Sequence, residues 1–180
     1  MRRISNVLGV DDAPFPRSFR GDVPILGAVC TRTRLDGVLV SRVRRDGRNA
    51  TVRIAEMLEA SDANEHVQAV LLEGIALAGF NVVDIHALAE RLQRPVVVFS
   101  KRKPDYPAVK RALMQRVPGG AQKWQLILRA GEMQRIDDLW VQCSGIERGA
   151  VSALLQTTRR EARLPEAVRY AHLIAGSHAV

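Results

Sequence analysis

Two adjacent aspartates, Asp11 and Asp12, end the first apolar segment of the chain, within the stretch LGVDDAPF. Another carboxylate, Glu73, ends the apolar segment VQAVLLEG, and Gly74 after it permits a sharp turn. If the two segments are adjacent strands of one sheet, their ends lie about 4.8 Å apart. Carboxylates this close repel one another unless a hard cation such as Mg²⁺ binds both. We therefore predict Asp11 and Glu73 as metal ligands, with Mg²⁺ or Mn²⁺ as the cofactor.

These acidic residues also have structural explanations. Aspartates bond local backbone in turns, and Pro14 follows the Asp11–Asp12 pair. Side chains alternate along a strand, so Asp12 is predicted to point to the opposite face of the sheet from Asp11. Asn81 and Asp84 fit the N-cap and third positions of a helix, NVVDIHALAERL, which favours a structural role for both.

A basic cluster follows the apolar segment PVVVFS, at Lys101, Arg102 and Lys103. Such a run is usually solvated. Its place at the end of a buried strand also suits the binding of substrate phosphates. Both explanations stay open on the sequence alone.

The last predicted helix, PEAVRYAHLIAG, carries a second pair of candidate site residues. His172 borders the apolar stripe of the helix and lies one turn from Arg169, so both are predicted to face the same site. A structural histidine with a satisfied hydrogen bond explains His172 equally well. We nevertheless include Arg169 among the predicted substrate-binding residues.

The composition favours a nucleic-acid partner. Lys and Arg outnumber Asp and Glu by 27 to 19, and the net charge of +8 attracts polyanions. Only 4% of the residues are aromatic, which argues against a base-stacking surface for single strands. A homo-oligomer is compatible with the sequence.

Cysteine usage and hydropathy predict a cytoplasmic protein. Cys30 and Cys143 lie far apart in apolar segments, as is typical of free thiols in a reducing compartment. The first apolar run is interrupted by Asp11, and no run reaches the roughly 18 residues of a membrane span.

The elements that position these residues form one predicted domain spanning residues 1–180. Three β-rich segments precede the helix ATVRIAEMLEA, and buried strands then alternate with helices. The segments WQLILRAG and LWVQCSGI are predicted as further strands, followed by two closing helices. The order βββαβαβα predicts an α/β fold with a mixed β-sheet flanked by helices, which is the order of the ribonuclease H-like fold.

Three segments carry a family resemblance that covers most of the chain: GVDD, LLEGIALAGFNVVDIHALAERLQRPVVVFSKR and RLPEAVRYAHLIA. Together they resemble the DUF99 family, also called UPF0215, whose members are related to endonuclease V. The resemblance implies an endonuclease V-like variant of the ribonuclease H-like fold, with a metal-dependent nuclease site.

The resemblance implies roles for individual residues. The aspartate of the GVD motif falls on Asp11, and the aspartate that ends the central strand falls on Glu73. The family's lysine falls on Lys101, where it would balance charge, and its last-helix residue falls on His172, where it would orient water or transfer a proton. In this reading Asp11, Glu73, Lys101 and His172 form the catalytic set.

The chain departs from the endonuclease V pattern in two places. The middle glutamate ligand of endonuclease V would fall near residues 49–51, where this chain has no acid. DUF99 relatives typically carry an aspartate there, in DGxDAT, and this chain has Asn49 in DGRNAT instead. The Pro-Tyr-x-Pro wedge that helps endonuclease V separate strands around inosine has no match. The sequence therefore predicts a weak metal-dependent endonuclease acting on DNA or RNA. The alternatives are a non-catalytic nucleic-acid-binding relative and a protein-interaction module.

Overall fold

The computed structural model describes residues 3–180, which fold around one large β-sheet. Its seven strands lie in the order β3-β2-β1-β4-β7-β9-β8, and β5 and β6 form a separate hairpin. The strands are β1 (Asn6–Asp12), β2 (Asp22–Thr31), β3 (Arg34–Arg44), β4 (Ala69–Glu73), β5 (Ala76–Leu77), β6 (Asn81–Val82), β7 (Val96–Ser100), β8 (Gln134–Ile136) and β9 (Leu139–Ser144). The helices are α1 (Ala50–Glu59), α2 (Ile85–Leu92), α3 (Tyr106–Arg116), α4 (Gly120–Ala130), α5 (Arg148–Thr158) and α6 (Glu166–Gly176).

The sheet is mixed, as the sequence predicts. Strand β1 pairs antiparallel with β2 and parallel with β4, and β4 pairs parallel with β7. Val10 of β1 lies opposite Leu72 of β4, and each is followed directly by a carboxylate, Asp11 in one strand and Glu73 in the other. The register alone therefore brings the two predicted ligands to the same edge of the sheet.

Alternation along β1 sends its side chains into two different cores. Leu8 and Val10 pack on the side of α1 and α2, whereas Val7 packs with α5 and α6 on the other side. Asp11, two residues from Gly9 and four from Val7, faces the α6 side. Asp12 faces the α1 side.

Helix α6 packs unusually close to β1 at Gly9. A Cβ atom at this position would lie 2.3 Å from the carbonyl carbon of Ala167, which no side chain can occupy without displacing the backbone. The small residues Ala167 and Ala171 are fully buried in this contact. The glycine of the GVDD stretch thus sets the distance between α6 and the sheet.

The prediction of a strand at WQLILRAG is wrong, because this segment lies in α4. Its buried residues are Gly120, Lys123 and Ile127, at spacings of three and four that match a helix. Ile127 packs against Leu113 of α3 and Val82 of β6 in a small third core. The mostly apolar stretch QLIL is compatible with a strand, but the tertiary contacts of this segment favour a helix. The predicted strand LWVQCSGI is confirmed as β9.

The predicted start of α2 is also wrong. Asp84, not Asn81, is the N-cap of this helix, and its carboxylate accepts a hydrogen bond from the backbone N–H of Ala87 at 3.0 Å. Asn81 lies in the β5–β6 hairpin and is fully buried. Local capping preferences could not reveal a two-residue strand that depends on its partner for stability.

Two simpler predictions concern cysteines and membranes. Cys30 and Cys143 are both free, as predicted. Among residues 3–180, no helix has the length and apolar character needed to cross a bilayer. The cytoplasmic location stays a prediction.

Candidate metal centre

Three side chains meet where β1 and β4 end: Asp11, Glu73 and His172. Each offers one ligand atom, and these atoms all lie within 4.8 Å of one another. The predicted convergence of Asp11 and Glu73 is observed. His172, from the opposite end of the chain, completes the group.

The packing of α6 on β1 explains why His172 reaches Asp11. His172 lies five residues beyond Ala167, about 7.5 Å along a helix, and Asp11 lies two residues beyond Gly9, about 6.7 Å along a strand. The two elements touch where Gly9 meets Ala167, and from there both advance by nearly the same distance. His172 Nδ1 therefore ends 2.8 Å from Asp11 Oδ2.

Glu73 is positioned by a turn at Gly74. This glycine has φ of +75°, and a Cβ atom there would meet nothing within 4 Å. The requirement for glycine is therefore conformational rather than steric, as the sequence predicts. The chain turns away directly after Glu73 and leaves its half-buried carboxylate at the strand end.

Asp11 is a largely buried carboxylate without enough nearby positive charge to balance it. Its side chain is largely buried, and this burial raises its pKa from the ordinary 3.8 to about 6. The neighbouring Asp12 side chain adds to the rise in pKa, and the hydrogen bond to His172 opposes it. The His172 side chain is 68% exposed, so the cluster opens to solvent on the α6 side.

The donor set fits a divalent cation. Mg²⁺ is commonly held by one or two protein carboxylates, with water and substrate phosphate completing its shell. Asp11 and Glu73 supply two such carboxylates. An imidazole hydrogen-bonded to a ligating carboxylate is a common means of orienting that carboxylate. His172 makes this bond to Asp11.

Asp12 has a structural role, on the opposite face from Asp11 as predicted. Its Oδ2 accepts a hydrogen bond of 2.7 Å from the backbone N–H of Ala78. Ala78 lies between β5 and β6 and has a positive φ of +48°. Asp12 thus fixes the β5–β6 hairpin beside the strand end that carries Asp11.

The basic cluster lies at the same edge of the sheet as Glu73. Lys101 follows β7, which runs parallel to β4 and pairs Phe99 with Glu73. Lys101, Arg102 and Lys103 are all exposed. The Lys103 ammonium lies 5.5 Å from the centre of the Trp140 ring, which leaves Lys101 and Arg102 as the more open cations.

Arg169 occupies a different environment from the one predicted. Its guanidinium bonds the buried carboxylate of Glu166 at 2.7 Å and lies 5.2 Å from the centre of the Tyr170 ring. Glu166 is 2% exposed and requires this counter-charge. The structure therefore places Arg169 in an ion pair within α6, and its contact with substrate stays a prediction.

Asn49 is engaged in a partly buried amide network. Its Oδ1 accepts hydrogen bonds from the backbone N–H of Arg44 at 3.0 Å and from Asn81 Nδ2 at 2.8 Å. Asn81 Oδ1 in turn accepts from the N–H of Ala50. Asn49 directly precedes α1, but its side chain makes no capping bond to that helix.

Sequence reasoning missed how closely His172 and Asp11 are joined. The signal was present in Gly9, Ala167 and Ala171, small residues that allow a helix to approach a strand. Nothing in the sequence pairs these distant positions directly. Their contact emerges only when the chain's first strand and last helix are placed together.

Comparison with known proteins gives a consistent result. The family model described as Endonuclease dU matches residues 3–179. A UPF0215 protein of Deinococcus radiodurans is 51% identical over 174 residues, which cover 97% of this chain and 89% of that protein. The predicted DUF99/UPF0215 resemblance is confirmed.

Solved structures agree on the fold. A protein of unknown function from Archaeoglobus fulgidus matches with a TM-score of 0.88 and 30% identity, covering 95% of this chain and 96% of that one. Endonuclease V of Ciona intestinalis, solved with a 24mer DNA containing an inosine followed by a ribo-adenosine, matches with a TM-score of 0.61 and 12% identity. That match covers 96% of this chain and 85% of the other. The predicted endonuclease V-like fold is confirmed.

Proposed function

The chain belongs to the Endonuclease dU family, and from this premise we propose that it is a divalent-cation-dependent endonuclease that hydrolyses phosphodiester bonds in nucleic acid. The observation that carries the proposal is the convergence of Asp11, Glu73 and His172, whose ligand atoms lie within 4.8 Å of one another. Mg²⁺ and Mn²⁺ are the proposed cations, because both favour carboxylate and water oxygens.

When bound, the cation would polarise a substrate phosphate oxygen and lower the pKa of a coordinated water. Asp11 and Glu73 hold it through their carboxylates. Asp11 must be ionised to do so, and because its pKa is raised to about 6, protons compete with the cation and weaken its binding below that pH. The repulsion between the two carboxylates is relieved at the same time.

His172 has a defined proton chemistry in this arrangement. An ionised Asp11 can only accept a hydrogen bond, so the His172 Nδ1 facing it must carry the proton. In the neutral imidazole, Nε2 is then an acceptor. We propose that Nε2 takes a proton from the attacking water, with Asp11 holding the ring in place.

Lys101 and Arg102 contribute charge at the strand end beside Glu73. We propose that they contact substrate phosphates on either side of the cleaved bond, with Lys103 at the margin of the same surface. Phosphate contacts of this kind weaken as salt rises, because binding releases counterions from the nucleic acid. The net charge of +8 favours the same partner.

The family's description points to deoxyuridine, and we propose DNA containing deoxyuridine as the first substrate to test. Inosine is the lesion in the DNA bound to the Ciona protein. This chain lacks the Pro-Tyr-x-Pro wedge of the inosine enzymes. Inosine-containing DNA is therefore the second substrate to test.

A second candidate function is nucleic-acid binding without catalysis. Asn49 favours it, since the family resemblance implies an aspartate at this position and the amide cannot supply a charged ligand. The two functions share the basic surface. They differ in whether cleavage accompanies binding.

The deciding experiment is a cleavage assay with Mg²⁺ or Mn²⁺ on labelled duplexes and single strands. Each carries one deoxyuridine, one inosine or no lesion, in DNA and in the RNA counterpart where it exists. We expect slow cation-dependent nicking that is lost in Glu73→Gln and retained in Glu132→Gln, a matched change at an exposed glutamate. Tight binding with no cleavage under either cation would support the non-catalytic function instead.

A further inference from the structure

A cavity of about 310 Å³ lies away from the metal centre, between the loop that joins β3 to α1, the start of α2, and helix α4. Its size is at the lower end of small-molecule pockets. None of the three clustered metal-centre residues lines it. Its lining includes Arg48, Thr51, Val82, Ala87, Lys123 and Leu126.

Lys123 is the unusual member of this lining. It is 2% exposed, although lysine is rarely buried without a charged partner. Within residues 3–180, the hydrogen-bond acceptor of Nζ is the neutral backbone carbonyl oxygen of Asp46. An ammonium has three N–H donors, so two remain for another acceptor.

Burial works against the charge of Lys123. It lowers the pKa of the amine, and the Asp46 carboxylate only partly offsets this effect. A structural tie to one carbonyl does not require a charge, since a neutral donor would serve at lower desolvation cost. An anion beside Lys123 would supply the counter-charge that this buried ammonium lacks.

Arg48 brings a second cation to the same cavity. Its guanidinium lies over Gly119 at the start of α4, so closely that a Cβ atom there would sit 1.9 Å from Nη2. Gly119 has φ of +69°, and glycine is thus favoured both by backbone conformation and by the space that Arg48 occupies. The side chain of Arg48 is exposed and closes the outer side of the cavity.

The one carboxylate in the lining, Asp84, does not cancel this charge. Its Oδ1 accepts from the N–H of Ala87, and its Oδ2 lies 3.4 Å from the guanidinium of Arg129. Asp84 is therefore balanced by a cation outside the cavity. Arg48 and Lys123 leave the interior with excess positive charge.

Apolar side chains form the remaining walls, from Val82, Ala87 and Leu126. We propose that this cavity binds a small organic anion, a carboxylate or phosphate group on a compact apolar body, with Lys123 and Arg48 holding the charged group. The Thr51 hydroxyl accepts from the N–H of Asp84 and keeps its own O–H available to the same group. The site is separate from the proposed nuclease chemistry, and either can fail without the other.

The test is a titration of isotope-labelled wild-type protein, free of divalent cations, followed by amide chemical shifts. Three probes of similar body are used: benzoate, phenyl phosphate and benzyl alcohol. We expect at least one of the two anions to shift the amides of Thr51, Ala87 and Gln122 and to bind at least about tenfold more tightly than the alcohol. The comparison of benzoate with phenyl phosphate identifies the preferred charged group.

Variants assign the binding to the two cations. Arg48→Ala removes an exposed side chain, so folding is preserved, and it should weaken anion binding about tenfold. Lys123→Met should abolish it, while Arg135→Ala on the distant β8 should leave it unchanged. The proposal is overturned if the alcohol binds as well as the anions, if no probe shifts these amides, or if Arg48→Ala binds like wild type.

Discussion

Two polar regions flank the carboxyl end of β1, and they are built on opposite principles. On the α6 side, Asp11, Glu73 and His172 converge with two carboxylates and only one imidazole among them. On the α1 side, Asn49 and Asn81 bond each other and nearby backbone groups.

The difference lies in how completely the polar groups are satisfied. Asn81 donates to the Arg44 carbonyl and to Asn49, and accepts from the Ala50 N–H, so its amide is fully used. Burial of Asp11 instead raises its pKa to about 6. Satisfied polarity stabilises a fold, whereas carboxylates kept short of counter-charge indicate a site that needs a ligand.

The largest expected effect is the loss of cleavage when a carboxylate on the α6 side is neutralised. Asp11→Asn and Glu73→Gln each remove one charge with little change of shape, and each should reduce cleavage at least about 100-fold. Asp11→Asn should not lower the free energy of unfolding, because burial disfavours the charged carboxylate relative to a neutral amide. Single-turnover cleavage and urea unfolding measure the two quantities. Activity that survives both substitutions must come from other residues.

On the α1 side the effects should reverse. Asn81→Leu leaves the Ala50 N–H and the Arg44 carbonyl without their partner, which should cost roughly 2 to 4 kcal/mol of stability. The folded fraction should bind Mn²⁺ as wild type does. Urea unfolding and Mn²⁺ titration by calorimetry test this pair of outcomes. If Asn81→Leu is as stable as wild type but has lost its affinity for Mn²⁺, the two regions are not separate, and Asn81 contributes to cation binding.

Gly9→Ala tests how the α6 side is positioned. The added Cβ would meet the Ala167 carbonyl carbon at 2.3 Å, so α6 must move away from β1. We expect a loss of roughly 1 to 3 kcal/mol in stability and weaker cleavage, because His172 moves with the helix. Ala13→Gly, a small change just beyond β1, serves as a comparison variant. Unaltered cleavage in Gly9→Ala would show that the α6 distance is unimportant.

The pH dependence follows from the raised pKa of Asp11. Between pH 3.8 and about 6 the folded state retains a proton that the unfolded state has lost, so without divalent cation this group's contribution to stability falls as pH rises through that window. The effect is at most roughly 3 kcal/mol, and Asp11→Asn should remove it. Mn²⁺ affinity should rise over the same interval. The free energy of unfolding of wild type and of Asp11→Asn, measured at each pH, gives the contribution of Asp11 as the difference between the two proteins. Parallel curves for the two proteins would contradict this prediction.

The smallest effect is expected at Asn49. Both donors to its Oδ1 would also bond a carboxylate, so Asn49→Asp should change stability by less than about 0.5 kcal/mol. The family resemblance implies an aspartate at this position, and we expect the Asn49→Asp variant to cleave a few-fold faster. Matched cleavage rates of wild type and Asn49→Asp provide the measurement. A slower variant would refute a role for this position in cation binding.

The sequence was sufficient where neighbours in the chain determine the outcome. Apolar runs predicted strands that end in Asp11 and Glu73, and Gly74 indicated the turn after the second strand. That the two strands are neighbours followed from the predicted fold and not from the runs themselves. The sequence was insufficient where contacts between distant segments determine the secondary structure. The start of α2 was misplaced because the β5–β6 hairpin recruits Asn81, and α4 was misread because its helical face is defined by α3.

The role of His172 illustrates the same limit. Helical spacing placed it beside Arg169, yet Arg169 bonds Glu166 while His172 bonds Asp11. Spacing along the sequence predicts which residues share a helix face, but it does not predict which residue each side chain bonds. The contact depends on how closely Gly9 lets α6 approach.

The most direct test of the metal centre is anomalous diffraction from crystals of the wild-type protein grown with Mn²⁺ near pH 7.5. We expect an anomalous peak about 2.1 to 2.2 Å from carboxylate oxygens of Asp11 and Glu73, and we expect this peak to be absent in Glu73→Gln. His172 Nδ1 should remain bonded to Asp11. A peak elsewhere, or none at these carboxylates with Mn²⁺ in excess, would contradict the central claim.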